Sequence, residues 1–538
     1  MNGRLLAVCR GLLAVALMLS AWHVMITPAR AAESTPKSGG VLEYWNRTDP
    51  PGFDLHRWTS HTPFFAHPVF STLVQYDSSK KEPVPEHIVG DLAERWEVSP
   101  DGKLYTFFLH KKVTWHDGQP FTAADVAYSF EKILDPNRSV IAGRFPGFDR
   151  LEIVDDHTVK IHMKNPQASF LPILAQGYAV MQPKHKADAD GKNVAFLKVG
   201  TGPYMFQEAV SGVSYAYVKN PNYFKPGLPY LDGLKIYIVR EPPAQRAAFV
   251  AHRVKMTNTT LGMPTQAIYD QHQKRVPDGK YSIQDFPLVR LFWFNLKGDN
   301  PWNDVRVRRA INLALDREQL IIGGVGDKTW GRIGGVFPPG SPYALPSEEL
   351  ATIQGWDRPY EERLAEAKRL MQEAGYEQGF KVRLVARTLS LYKRILGQAA
   401  DLMRQINLDV TLELPETAQA MEMREKGNFD MYFEVMYASI GDPDEIRGYY
   451  ITAGSENWTG YSNPKLDELF VKQSQATSQT ERQQYAHEIE RILAREAPVI
   501  PSFFVRYGVG QHPEVRNWIP PNTGYITHLQ MEQVWLDK

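Results

Sequence analysis

The sequence predicts an exported α/β protein with two or three hydrophobic cores. Three observations predict it: a leader-like N-terminus, alternating helix and strand periodicities over 304–495, and a strand-like aromatic segment after Pro498 with no helix behind it. That last segment needs a sheet formed earlier in the chain. At least one domain is therefore expected to be assembled from separated segments.

The N-terminus sets the compartment. Arg4 and Arg10 precede an apolar stretch over 11–26, interrupted only by Ser20 and His23. Pro28-Ala29-Arg30-Ala31-Ala32 follows, and Ala29 with Ala31 fits a small-x-small site, so cleavage is expected after Ala31. The stretch is short of the roughly 20 apolar residues of a membrane span, which favours a cleaved signal peptide over an anchor. The one cysteine, Cys9, lies inside this leader, so the mature chain is expected to have no disulfide, no thiol chemistry and no lipid-bearing cysteine. A free, monomeric periplasmic protein is the resulting expectation. The chain carries 61 basic and 61 acidic residues. Loss of Arg4, Arg10 and Arg30 with the leader leaves the mature chain slightly acidic, and no basic stripe suggests nucleic acid as a partner. Aromatic residues make up 12% of the chain, a content that ordinary cores accommodate.

The elements follow in order. The run LYTFFL at 104–109 is rich in strand formers and follows a Pro100-Asp101-Gly102 turn. Residues 113–115 read as a second short strand, ended by His116-Asp117-Gly118. Thr122 with Asp125 opens a helix whose apolar face is Val126, Phe130, Ile133 and Leu134, and Asp135-Pro136 ends it. Asp304 opens a helix with Val307, Ile311, Ala314 and Leu315 inward. A further helix over 360–374 carries Leu364, Ala367, Met371 and Ala374 on one stripe and closes at Gly375. Alternation predicts strands over 380–386 and 410–414, separated by a helix over 391–406, then a strand over 431–436. This β-α-β order predicts a largely parallel sheet. Asn463-Pro464 starts another helix with proline at its first position, and Thr480 with Gln483 reads as a capping box for a helix reaching Arg495.

Catalytic signatures are absent: the sequence contains no G-x-S-x-G, H-E-x-x-H or G-x-x-x-x-G-K-[ST]. A Ser-His-Asp set defined only by geometry stays open. His56, His61 and His67 cluster, but spacings of five and six do not put two imidazoles on one helical face. No metal and no cofactor are expected. Trp115-His116-Asp117-Gly118 is read as a turn rather than an acid/base site, because Asp-Gly supplies the positive φ a tight turn needs.

Several blocks carry a family resemblance. LAERWEVSPDG at 92–102 and LYTFFLHKKVTWHDGQPFTAADVAYSF at 104–130 are similar to the hallmark of family 5 extracellular solute-binding proteins, the ligand-capturing subunits of ABC importers for oligopeptides, dipeptides, nickel chelates and related solutes. GTGPY at 200–204, NPNYF at 220–224, DVRVRRAI at 304–311 with Asp316-Arg317, and GYSNP at 460–464 with Leu466-Asp467 resemble four further family blocks, in order. The resemblance implies a two-lobed periplasmic-binding-protein clamshell (type II, cluster C-like) with an extra third domain. Its implied division is 32–70, 196–285 and 498–538 for a discontinuous first lobe, 71–195 for the extra domain, and 286–497 for the second lobe. It also implies closure on the ligand about the crossings near 70, 195, 285 and 497.

The implied function is capture of a peptide or peptide-like solute and its delivery to permease subunits. A metal chelate, an opine-like conjugate and an oligosaccharide stand as alternative ligands. A secreted hydrolase or a periplasmic sensor stands as an alternative class. Relatives place pocket-lining side chains where Met436 and Tyr437 fall, after Gly427-Asn428-Phe429-Asp430. Arg424 falls where some relatives carry a cleft arginine, a carboxylate clamp; it reads equally as a solvated residue of a helix over 418–426. Thr59 and Ser60 continue an early turn, Phe53-Asp54-Leu55-His56, toward the implied cleft. Trp293 is a stacking candidate, although an aromatic run is more often core. One position departs from the peptide-binding pattern. Ser439 stands where such relatives carry the aspartate that pairs with a peptide's α-amino group. Either another acid (Glu434, Asp442 or Asp444) takes the amine, or the ligand has no free amine there.

Overall fold

The computed structural model describes residues 35–57, 61–187, 192–258, 262–437, 441–520 and 529–538. The leader and its cleavage point lie outside them, as do Thr59, Ser60 and Ser439.

Three sheets organise the chain after Ser38. The first has the spatial order Val41–Asn46, Gly233–Ile238, Ser214–Lys219, Tyr204–Val210; its first pair is parallel and the others antiparallel. The second is an antiparallel meander, Ala93–Val98, Leu104–Leu109, Thr158–Met163, Phe148–Asp155. Helix Ala123–Leu134 packs over it, opened by the expected capping box: the Asp125 carboxylate accepts from the Thr122 N–H at 2.9 Å. Leu42, Tyr44 and Leu234 of the first sheet share one continuous core with Phe107, Val159 and Phe130 of the second unit. The expected strand at 113–115 shrinks to a single bridge, Thr114 to Pro120. The Asp117-Gly118 turn closes too soon for a ladder, with Gly118 at φ 85° and the Trp115 N–H bonded to Gln119 O.

The third sheet has six strands, ordered Gly331–Arg332, Val499–Gln511, Lys280–Phe294, Met431–Tyr437, Lys381–Val385, Asp409–Glu413. It is mixed rather than largely parallel. The last three strands are parallel, but Lys280–Phe294 runs antiparallel to both its neighbours. Sequence periodicity predicts strands, not their direction, and the returning C-terminal segment supplies the antiparallel partner. Strand alternation separates two cores. Leu288, Phe292 and Phe294 join Met431 and Phe433 on one face, while Val289, Leu291 and Trp293 join Tyr432 and Met436 on the other. Asp304 and Asn463 cap their helices as expected, accepting from Arg306 N at 2.8 Å and from Lys465 N at 3.0 Å. The last long helix, Gln479–Glu496, is capped by Ser478, two residues before the expected Thr480.

Two strands tie the units together. Lys280–Phe294 is 15 residues long, about 50 Å at strand rise, and pairs along its length with Val499–Gln511. Val289–Trp293 pairs with residues 499–504 inside the six-stranded sheet. Lys280–Asp285 pairs with 506–511, where Met256 and Met263 bridge Gln511 and Gly508. The C-terminal strand thus begins within the large sheet and passes toward the first unit only near Arg506, rather than leaving the large sheet at 497. At the crossing the register slips between Asp285 and Val289, and Pro287 occupies the bulge, where a missing N–H is tolerated. Asp285 accepts from Arg506 at 2.9 Å and from Arg332 at 2.7 Å across this slip.

The second four-stranded unit also touches the large-sheet unit. Ser169 Oγ donates to Asp444 at 2.6 Å and Ala168 N–H to Ser474 O at 2.8 Å.

Candidate functional site

A polar cluster sits where the central strands of the large sheet emerge from its cores. Arg290 interrupts the otherwise apolar run Leu288–Phe294 and is only 3% exposed. Its guanidinium lies 5.2 Å over the Phe503 ring. Its Nε and Nη1 have no hydrogen-bond partner, and no ion pair among the described residues involves it. A buried donor left unpaired costs about 1–3 kcal/mol, and more when charged. Arg387 lies beside it in a network with Glu434 and Tyr392: its Nη2 donates to Glu434 Oε1 at 2.7 Å and to the Tyr392 hydroxyl at 3.2 Å, and that hydroxyl donates to the same Glu434 oxygen at 2.7 Å, while Arg387 Nε and Glu434 Oε2 are buried without a partner. Burial raises the Tyr392 phenol, and the Glu434 carboxylate raises it further. Burial alone would lower Arg387; the Glu434 charge more than reverses that. Arg387 is therefore committed to Glu434, whereas Arg290 has no counter-charge.

Tyr437 completes this wall. More than a third of its surface is open, 37%, yet desolvation by the chain packed around it pushes its phenol up to about 12, with Tyr507 and Glu434 adding to the rise and Arg387 and Arg290 opposing it. Open surface combined with strong desolvation is the mark of a side chain lining an enclosed space. Burial raises the phenol of Tyr178, from the second four-stranded unit, with Tyr437 among the lesser causes. The arrangement offers a cation, two phenols and an aromatic face. It suits an anionic or hydrogen-bonding ligand.

The sequence-predicted residues divide. Tyr437 is in this cluster. Met436, its neighbour, is fully buried in the opposite core, where the Tyr450 hydroxyl contacts its sulfur at 3.4 Å; successive strand residues face opposite ways, so only one of the two can line the cleft. Trp293 is likewise 0% exposed and packs on Trp458, centroids 5.2 Å apart. Arg424 stacks over the other partner in that group, 3.6 Å from the Trp458 ring, and pairs with Glu425 at 2.6 Å. Asp442 is buried and accepts twice from Arg482 Nη2, both at 2.9 Å, so its charge is already met. Glu434 is held by Arg387, and Asp444 accepts from Ser169 and Ser474. Arg290, Arg387, Tyr392 and Tyr178 were not singled out by sequence. Arg290 had a visible signal, an arginine inside an apolar strand.

Two of the clustered histidines are structural. His56 Nε2 donates to Val180 O at 2.9 Å, next to a buried set in which Lys132 Nζ donates to Asp54 and Gln182. His116 joins the loop after Trp115 to Gly200 and Gly202. A separate concavity of about 520 Å³, open to solvent, is lined by His67, Gln75, Tyr76, Trp518 and Glu532 among others; Glu532 there shares Lys225 with Asp91, at 3.0 and 2.8 Å.

Comparison with known proteins gives a consistent picture. The sequence profile of the bacterial extracellular solute-binding proteins, family 5 Middle, matches residues 87–511. The di/tripeptide-binding protein 2 of Pseudomonas aeruginosa (strain UCBPP-PA14) is 26% identical over 519 residues, covering 90% of this chain and 93% of its own. Among solved structures, the periplasmic binding protein DppA from Helicobacter pylori, in complex with the peptide STSA, superposes with a TM-score of 0.75 at 23% identity, covering 93% of this chain and 99% of that one. The PBP AgaA of A. tumefaciens R10, in complex with agropinic acid, does so with a TM-score of 0.75 at 23% identity and the same coverage.

Proposed function

The chain belongs to family 5 of the bacterial extracellular solute-binding proteins, and from that premise we propose that it captures a peptide-like solute bearing an anionic group and delivers it to the permease of an ABC importer in the periplasm. The observation that carries the reading is Arg290, a buried guanidinium with free N–H groups and no acidic partner among the described residues. A carboxylate presented to it would form charge-assisted bonds in a low-dielectric setting. Asp442 and Asp444 are already bonded within the protein, and Glu434 is held through Oε1 by Arg387 and Tyr392, with its Oε2 buried and unpartnered. That supports a ligand held mainly by its anionic end, such as a blocked peptide, a conjugated amino acid or an opine-like compound. The names of relatives, one binding di- and tripeptides and one solved with agropinic acid, are compatible with this class.

Mass spectrometry of ligand released from purified native protein tests the class; a neutral sugar would refute it. Calorimetry with the identified ligand then tests the residue. Arg290→Met is expected to weaken binding by at least about tenfold, as loss of bonds to a charged group costs about 1.5–3 kcal/mol. The same variant is expected to raise the melting temperature of the ligand-free protein, since an unpaired buried charge is removed. Undiminished affinity in Arg290→Met would overturn the assignment. The hydrolase alternative predicts cleavage when the protein is incubated with a peptide library; this reading predicts none.

A further inference from the structure

We infer that His252, His512 and Glu514 form a zinc-class divalent-metal site at the outer end of the paired long strands, remote from the solute cluster. Their ligand atoms all lie within 4.8 Å of one another. By strand rise, His512 is roughly 20 Å along the chain from Arg506 at the crossing.

The backbone builds the site. The His512 N–H bonds to Lys255 O at 2.9 Å, and Met256 bridges Gln511, so the turn after helix Pro242–Val250 is pinned to the end of strand Val499–Gln511. His252 occupies that turn at φ 57°, the left-handed position that ends the helix, with the Arg253 N–H bonded to Ala248 O at 2.9 Å. It brings the His252 ring to 3.5 Å from the His512 ring, centroid to centroid.

The chemistry of His512 is the decisive detail. It is 0% exposed. Its Nε2 lies 2.9 Å from Phe249 O, and a carbonyl can only accept, so the proton is on Nε2 and the lone pair on Nδ1. That Nδ1 is buried and has no hydrogen-bond partner. A metal-ligating histidine has this arrangement: one ring nitrogen donates to a backbone carbonyl, fixing the tautomer, and the other is offered to the metal. His252 Nδ1 lies 3.8 Å from Glu514 Oε1. Metal bonds of about 2.0–2.2 Å require ligand atoms about 3.4 Å apart, so the accessible His252 ring must swing off the face of His512 and the Glu514 carboxylate must move in. Two imidazoles and one carboxylate suit zinc, with water in the fourth position, and do not suit magnesium or calcium. One group opposes the ion: Lys255 Nζ, 3.4 Å from the same Glu514 oxygen, must swing into solvent. The bound ion would staple the turn to the strand end.

The test is calorimetric titration of zinc chloride into chelator-treated protein without a polyhistidine tag. One saturable equivalent is expected. His252→Ala and Glu514→Gln, both outside the core, are each expected to weaken it by at least about tenfold while moving the metal-free melting temperature by less than about 2 °C. Lys255→Met is expected to tighten binding. His512→Ala is avoided as the primary variant because it also breaks the bond to Phe249. No saturable equivalent, or an equivalent that survives in both variants, overturns the site. Anomalous diffraction at the zinc edge gives the independent reading: a peak beside His512 Nδ1 supports the site, and a peak only elsewhere refutes it.

Discussion

His116 shows how a residue that looks chemical in the sequence serves the architecture. Its Nε2 donates to Gly202 O at 3.0 Å, and its Nδ1 accepts from the Gly200 N–H at 3.3 Å. Both bonds need the neutral ring. They also explain why the W-H-D-G and G-T-G-P-Y blocks occur together, since one holds the other. A side chain at Gly200 would meet Val69 O at 1.9 Å, so only glycine lets that backbone approach. Burial, opposed by the bond to Gly202, lowers the His116 pKa from 6.5 to about 4. The folded state therefore binds a proton less readily than the unfolded chain. The stabilisation supplied by the neutral ring is complete above pH 6.5 and is lost as pH falls toward 4. His56, lowered to about 4 mainly by burial, acts with the same sign. We predict a melting temperature that falls on acidification from pH 6.5 to 4, with a shallower fall in His116→Asn. Thermal scans giving both proteins the same slope would refute this.

Among the elements, the paired strands Lys280–Phe294 and Val499–Gln511 bear the mechanical consequence. They are continuous through the crossing, so relative motion of the units must be absorbed where their pairing is weakest. That place is the register slip between Asp285 and Val289, because a bulge removes ladder bonds and adds twist. Asp285 stitches the slip to Arg506 and Arg332. These groups are partly exposed, and such pairs are worth only about 0.2–1 kcal/mol each. Asp285→Asn is accordingly expected to leave global stability within about 1 kcal/mol while speeding amide exchange at 285–289 and 504–506. Hydrogen–deuterium exchange read peptide by peptide checks it; unchanged exchange at the slip would place the flexible point elsewhere.

For the whole molecule, the described arrangement has the second four-stranded unit in contact with the large-sheet unit through Ser169–Asp444 and Ala168–Ser474. We propose that these contacts belong to the closed form of the clamshell that the family resemblance implies, with the strand crossing as its hinge. Ligand is thus expected to shift an equilibrium toward this compact form. Small-angle scattering should give a smaller radius of gyration at saturating ligand, approaching the value calculated from the described arrangement. Equal radii with and without ligand would count against closure.

The sequence by itself determined the elements and the family. Capping at Asp304 and Asn463, the apolar stripe of the helix at 360–374, the strand alternations and the ordered family blocks are local patterns, written within a few residues of where they act. It determined the exchange of the C-terminal strand into an earlier sheet only as a need for a partner. What tertiary structure alone decided was direction, face and charge pairing. It buried Met436 and left Tyr437 partly open, spent Asp442 on Arg482 forty residues away, paired Glu434 with Arg387 forty-seven residues away, and left Arg290 without a counter-charge among the described residues. Strand period says that neighbours point oppositely but not which way is inward, and the identity of a charge says nothing about whether a distant partner will neutralise it. Both are settled only when the segments pack.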